Sequence, residues 1–118
     1  MTALRILVAE DEALLRELTC EDLRDAGHTV ASAENGHAAL QALERESFDV
    51  LLTDIRMPGN LDGWELARRA RVLWPAINVI YLSGYSPDAL QPVPGGRILK
   101  KPCRLAELLL VLEQLSAA

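Results

Sequence analysis

Asp49-Val50-Leu51-Leu52-Thr53-Asp54-Ile55-Arg56-Met57-Pro58-Gly59 runs from a wholly apolar strand into a carboxylate and then breaks. Residues 50–53 are apolar or β-branched at every position, so neither alternating face is polar. A strand of that kind is covered on both sides, as in a parallel sheet between helices. Asp54 follows where such a strand emerges at its C-terminal end, and Pro58-Gly59 opens a loop. Open α/β folds place their chemistry along that edge of the sheet. On its own, Asp54 is equally well read as the cap of a turn. Its companions tip the balance.

Working outward, Arg5-Ile6-Leu7-Val8-Ala9 is a second apolar strand, ending in Glu10-Asp11-Glu12. Helical spacing follows over 13–26, with Leu15, Leu18, Leu23 and Ala26 on one face and Gly27 as the C-terminal cap. Residues 29–33 make a weaker strand, expected nearer an edge. Asn35-Gly36 turns into a helix through Glu46 that carries Ala39, Leu40 and Leu43 inward. Beyond the central strand, 63–74 is helical with Leu66, Ala67, Ala70 and Leu73 facing the core, and Pro75 ends it. Arg68, Arg69 and Arg71 read as its solvated face. Asn78-Val79-Ile80-Tyr81-Leu82 is a fourth strand closing on Ser83-Gly84, and Arg97-Ile98-Leu99-Lys100 is a short fifth. Lys101-Pro102 breaks it, and 104–116 is an amphipathic helix with Leu105, Leu108, Leu109, Leu112 and Leu115 inward. Strands alternating with helices predict one parallel sheet with helices on both faces, joined by right-handed crossovers.

The totals fit a single domain over residues 1–118. Half of the 118 residues are hydrophobic and a quarter are charged, which is ordinary for a globular chain. The net charge of −5 makes direct nucleic-acid binding a poor expectation, because phosphate contacts need a basic surface. No apolar run is long enough to span a membrane, and the N-terminus lacks a signal-peptide pattern, so a cytoplasmic location is expected. Cys20 and Cys103 have neither metal-site nor disulfide spacing and read as reduced thiols.

The strand ends carry polar groups that the strands themselves do not need: Glu10 and Asp11, Asp54, Ser83 and Lys101. In a parallel sheet these ends share one edge. Three clustered carboxylates raise one another's pKa, and a hard divalent cation such as Mg²⁺ relieves that repulsion. A hydroxyl and an ammonium beside them complete the parts needed for phosphoryl transfer onto Asp54.

In these residues the chain resembles the receiver domain of two-component response regulators, of the chemotaxis-regulator type. The pieces are Glu10-Asp11, Asp54 with Met57-Pro58, Asp62-Gly63-Trp64-Glu65-Leu66, Ser83-Gly84 and Lys101-Pro102, in the family's order and over nearly the whole chain. The resemblance implies a (βα)₅ flavodoxin-like sheet in the order 2-1-3-4-5, and Asp54 as phospho-acceptor from a histidine kinase or phosphotransfer protein. It also implies Mg²⁺ held by Asp54, Asp11 and the backbone carbonyl of Arg56, with Glu10 helping through water. Lys101 would contact the phosphoryl group and Ser83 would close on it. Such a domain is a signalling switch that acts on a downstream protein partner, with room for a weak homodimer. It is not an enzyme beyond its own phosphorylation and dephosphorylation. The Lys101-Pro102 peptide is expected cis. Arg56 and Tyr85 flank the family's path for attacking water, and their bulk implies slow dephosphorylation.

The departures are specific. Glu10 stands for the family's usual Asp, Gly59-Asn60-Leu61 adds a residue, Ile98 replaces the switch aromatic, and Cys103 replaces the aromatic after Lys-Pro. With Pro87, Pro92, Pro94 and three glycines between Ser83 and Lys101, the fourth of the five usual helices is expected short or absent, a turn near 87–91 at most. Leu110 is expected to face outward and, with the segment 84–96, to form the partner surface. Three other readings fare worse. A dehalogenase-type phosphohydrolase wants an acid where Arg56 stands, and a flavin module would meet repulsion from Glu10-Asp11-Glu12. A docking-only pseudo-receiver has no need of the intact acidic set. With no output module after Ser116-Ala117-Ala118, a complete chain is expected to be a single-domain regulator, and an excised one the receiver of a hybrid kinase.

Overall fold

A computed structural model describes residues 3–84 and 90–116. Its elements run β1 (Arg5–Ala9), α1 (Ala13–Asp25), β2 (Thr29–Ala33), α2 (Gly36–Arg45), β3 (Val50–Asp54), α3 (Gly63–Leu73), β4 (Asn78–Ser83), β5 (Arg97–Lys100) and α4 (Leu105–Ser116). All four strand pairings are parallel and the order is β2-β1-β3-β4-β5, as expected from the family resemblance. β3 lies in the middle and is buried at every residue, which is why it carries no polar face.

The period of two along each strand divides the interior into two layers. Leu7, Leu51 and Tyr81 point to one side, where α2 and α3 bring Ala39, Leu43, Trp64, Leu66 and Ala70. Ile6, Val8, Leu52 and Ile80 point to the other, where α1 and α4 bring Cys20, Leu23, Leu108 and Leu112. Local signals set the helix starts. The Asn35 and Asp62 side chains accept from the backbone N–H groups of Ala38 and Glu65, capping α2 and α3.

Some faces differ from the expected ones. Leu18 is 50% exposed, because it lies five residues from Leu23, about 140° around an α-helix. The inward stripe of α1 is built on Cys20 and Leu23 instead. In α4 the buried stripe is Leu108, Val111 and Leu112; Leu109 lies at its margin, Leu105 is exposed rather than inward, and Leu110 faces outward, as expected. His28, which lies outside the strand-end constellation and so reads from the sequence as a surface histidine, is buried, its Nδ1 accepting the Leu4 N–H at 3.1 Å. That bond ties the start of β1 to the turn before β2.

Among the described residues no helix lies between β4 and β5. The single turn expected near 87–91 falls mostly outside the described residues, as does Tyr85. What is described is a strap over the α3 side of the sheet. Val93 is buried there, and its N–H donates to the Tyr81 hydroxyl at 3.1 Å. The Gly96 N–H then donates to the Val93 carbonyl across Pro94-Gly95, with Gly95 at φ +78°. That is a type II turn, with proline and a positive-φ glycine in their favoured places. Leu61, in the lengthened loop, is buried against Gly36, where a Cβ would collide with it.

Candidate functional site

The site forms at the carboxyl ends of β1, β3, β4 and β5. Glu10 continues β1, its N–H donating to the Ala33 carbonyl at 3.0 Å, and Ile55 and Lys101 continue β3 and β5 by donating to Leu82 and Ser83. These extensions hold the first residues past each strand in register, so their side chains start from fixed points. The loop after Asp54 is held as closely. The Gly63 N–H donates to the Ile55 carbonyl at 2.7 Å, and a Cβ on Gly63 would meet the Asp54 carbonyl and the Ile55 backbone. The Thr53 hydroxyl donates to the Asp54 carbonyl at 2.9 Å.

Glu10, Asp11 and Asp54 each offer a carboxylate oxygen, and these atoms lie within 4.8 Å of one another. Asp54 and Glu10 are buried, whereas Asp11 is exposed. Lys101 Nζ reaches Asp54 Oδ1 at 2.5 Å and Glu10 Oε1 at 3.2 Å. The second oxygen of Glu10 accepts the Glu12 N–H at 3.1 Å. Asp54, Arg56, Ser83, Gly84 and Lys101 line a cavity of about 220 Å³. The Lys101-Pro102 bond is cis, as expected. Every residue singled out from the sequence, Glu10, Asp11, Asp54, Arg56, Ser83 and Lys101, is thus at one place.

Burial, and then the hydrogen bond with Glu10, push the Asp54 carboxyl up to about 8, although Lys101 pulls the other way. Burial would also raise Glu10, but its bonds with Asp54 and the Glu12 N–H, with Lys101 nearby, leave it below the ordinary carboxylate range. The two behave as one titrating pair that keeps a proton on Asp54. Burial works to lower Lys101, and the two carboxylates outweigh it and raise its pKa. One ammonium does not neutralise three carboxylates. The oxygen-only donor set and its spacing fit a hard divalent cation such as Mg²⁺, whose binding would displace the proton held on Asp54.

The response regulator receiver domain model matches residues 6–113. The chain belongs to this family. Among relatives, it is 37% identical to the response regulator receiver protein CpdR of Brucella abortus, over 97% of this chain and 98% of that one. Other curated relatives are longer, and the chain spans half of their length or less. Among solved structures, a receiver protein from Sinorhizobium medicae superposes with a TM-score of 0.90 at 37% identity, covering 98% and 96% of the two chains. The TrrA response regulator of Thermotoga maritima, solved in complex with Mg(2+)-BeF, gives 0.85 at 33% identity over 94% and 97%.

Two features of this receiver escaped the sequence. Gly63 reads as the start of a helix, and only the fold shows that the Asp54 carbonyl passes where its Cβ would be. Nothing in the sequence singles out Arg16, whereas in the fold its guanidinium donates to the Glu10 carbonyl at 2.9 Å. Neither has a local signal, because both depend on a neighbour brought close by the chain's path.

Proposed function

We propose that this receiver is a phosphorylated switch in which Asp54 takes a phosphoryl group from the phosphohistidine of a histidine kinase or phosphotransfer protein. A carboxylate oxygen of Asp54 forms the new P–O bond as the P–N bond breaks, and the electron pair leaves with the imidazole. Asp11, Asp54 and the Arg56 carbonyl would hold Mg²⁺, with Glu10 assisting through water. The ion supplies positive charge against which the carboxylates and the incoming phosphoryl oxygens can approach. Lys101 orients the phosphoryl oxygens by moving from Asp54 to the new anion, and Ser83, which lines the same cavity, offers a hydroxyl. The switch then acts through contacts with a downstream protein.

The observation that carries this reading is the Lys101–Asp54 ion pair at 2.5 Å inside the three-carboxylate cluster. On this reading nucleophile, cation site and anion clamp would share one small volume. The complex of TrrA with Mg(2+)-BeF supports it by similarity. Incubation with Mg²⁺ and acetyl phosphate should add one phosphoryl group, seen as a mass increase of the intact chain. Asp54→Asn should abolish it and EDTA should suppress it. Equal labelling of Asp54→Asn would overturn the assignment.

A further inference from the structure

Arg16 lies one turn into α1, outside the carboxylate cluster, yet it is tied to the acidic turn twice. Its backbone N–H donates to the Glu12 carbonyl at 2.9 Å, and its Nη1 donates to the Glu10 carbonyl at 2.9 Å. These bonds land on either side of Asp11, which offers one of the three clustered oxygens. Two further bonds restrain the turn, from the Glu12 N–H to Glu10 Oε2 at 3.1 Å and from the Glu10 N–H to the Ala33 carbonyl at 3.0 Å, but neither holds the Glu10 carbonyl. Glu12 is the N-cap of α1 and makes no side-chain cap, and three consecutive acids repel one another across it. Glu17 and Glu21 line the same groove as Arg16, yet Arg16 forms no ion pair with either among the described residues. The half-buried guanidinium is directed to the backbone instead.

We infer that Arg16 is a positioning residue for the divalent-cation site: it locks the Glu10–Asp11 peptide plane and so sets where the Asp11 carboxylate stands. The inference rests on the cation-dependent reading given under Proposed function. Holding the Glu10 oxygen fixes the whole planar unit, including the Asp11 N–H on its opposite side. The direction in which the Asp11 side chain leaves the backbone follows from that plane. Without Arg16 the carbonyl is free to turn, and Asp11 loses its aim toward Asp54. Groups that orient a ligand in this way typically change metal affinity by about 10- to 100-fold when removed.

The test is a Mg²⁺ titration of the whole chain, followed through the Asp11 and Glu12 amide resonances. R16M keeps the stem and removes the guanidinium. It should weaken Mg²⁺ about tenfold and shift the Glu12 amide already in the metal-free protein. R16K, with a charge but a shorter reach, should fall between R16M and the wild type, and it carries the test if R16M does not fold. Wild-type Mg²⁺ affinity in a folded R16M or R16K chain overturns the proposal. D11N separates the two layers of the argument. If D11N weakens Mg²⁺ and R16M does not, only the role of Arg16 fails; if D11N leaves affinity unchanged, the cation site itself fails.

Discussion

Single side chains already set opposite demands in this molecule. Asp54 is buried where a charge is costly, the neighbouring Glu10 adds to that cost, and Lys101 offsets part of it. His28 is the contrasting case, a buried ring whose neutral form ties the start of β1 to the turn before β2. Burial lowers its pKa from 6.5, its Nδ1 is occupied by the Leu4 N–H, and its buried Nε2 has no partner among the described residues. Unfolded, His28 titrates at its ordinary value, so below that pH the unfolded chain binds more protons than the folded one. The contribution of His28 should therefore fall as pH drops below about 6.5, against the opposite slope set by the raised Asp54 carboxyl. The difference in urea midpoint between wild type and His28→Asn, followed through that pH range, isolates it. His28→Asn, which keeps an acceptor but cannot titrate, should remove this contribution and so change the slope of stability with pH below about 6.5. A slope equal to wild type would show that another group is responsible.

The elements depend on one another through a few close approaches. α3 begins against the end of β3, with no space for a side chain at Gly63. Gly63→Ala should cost about 1–3 kcal/mol through overpacking, and it should displace the Asp54 carbonyl as well. Denaturation curves would record the first effect and slower acetyl phosphate labelling the second. Among the described residues, the strap before β5 is held by a few side-chain and turn contacts. Val93 fills the core, and Tyr81, which pairs in register with Ile98 and packs on Trp64 at a 4.7 Å ring separation, accepts its N–H. Tyr81→Phe leaves that buried N–H without an acceptor, at about 1–3 kcal/mol. Hydrogen exchange at Val93 should speed up markedly while exchange in β1 and β3 changes little. Unchanged protection at Val93 would mean that the strap is held elsewhere.

As a whole the molecule couples its folding to its charge cluster, because the three carboxylates come together only when β1 and β3 pair. A cation that binds this arrangement, and not the unfolded chain, stabilises the fold by mass action, about 2.7 kcal/mol at a concentration 100 times its Kd. Thermal melts should shift upward with Mg²⁺ at constant ionic strength. Asp11→Ala should remove most of the shift, and a melt insensitive to Mg²⁺ would count against the cluster as a cation site. No helix among the described residues is long and apolar enough to cross a membrane.

Much of this was legible in the residues, for reasons of local chemistry. All five strands could be placed because unbroken apolar runs between turn residues have few other uses, and β3 showed its double burial directly. The candidate site could be assembled because a parallel sheet brings every strand end to one edge, so six residues scattered over more than ninety positions become neighbours by topology. Which helix positions face inward was less legible. Leu18 and Leu23 look alike in the chain, and only the placement of α1 against β1 and β2 exposes one and buries the other. His28, Gly63 and Arg16 were illegible for the same physical reason. Their roles are set by the Leu4 N–H, the Asp54 carbonyl and the Glu10 carbonyl, backbone atoms that every residue carries and whose positions are fixed only when the chain has folded.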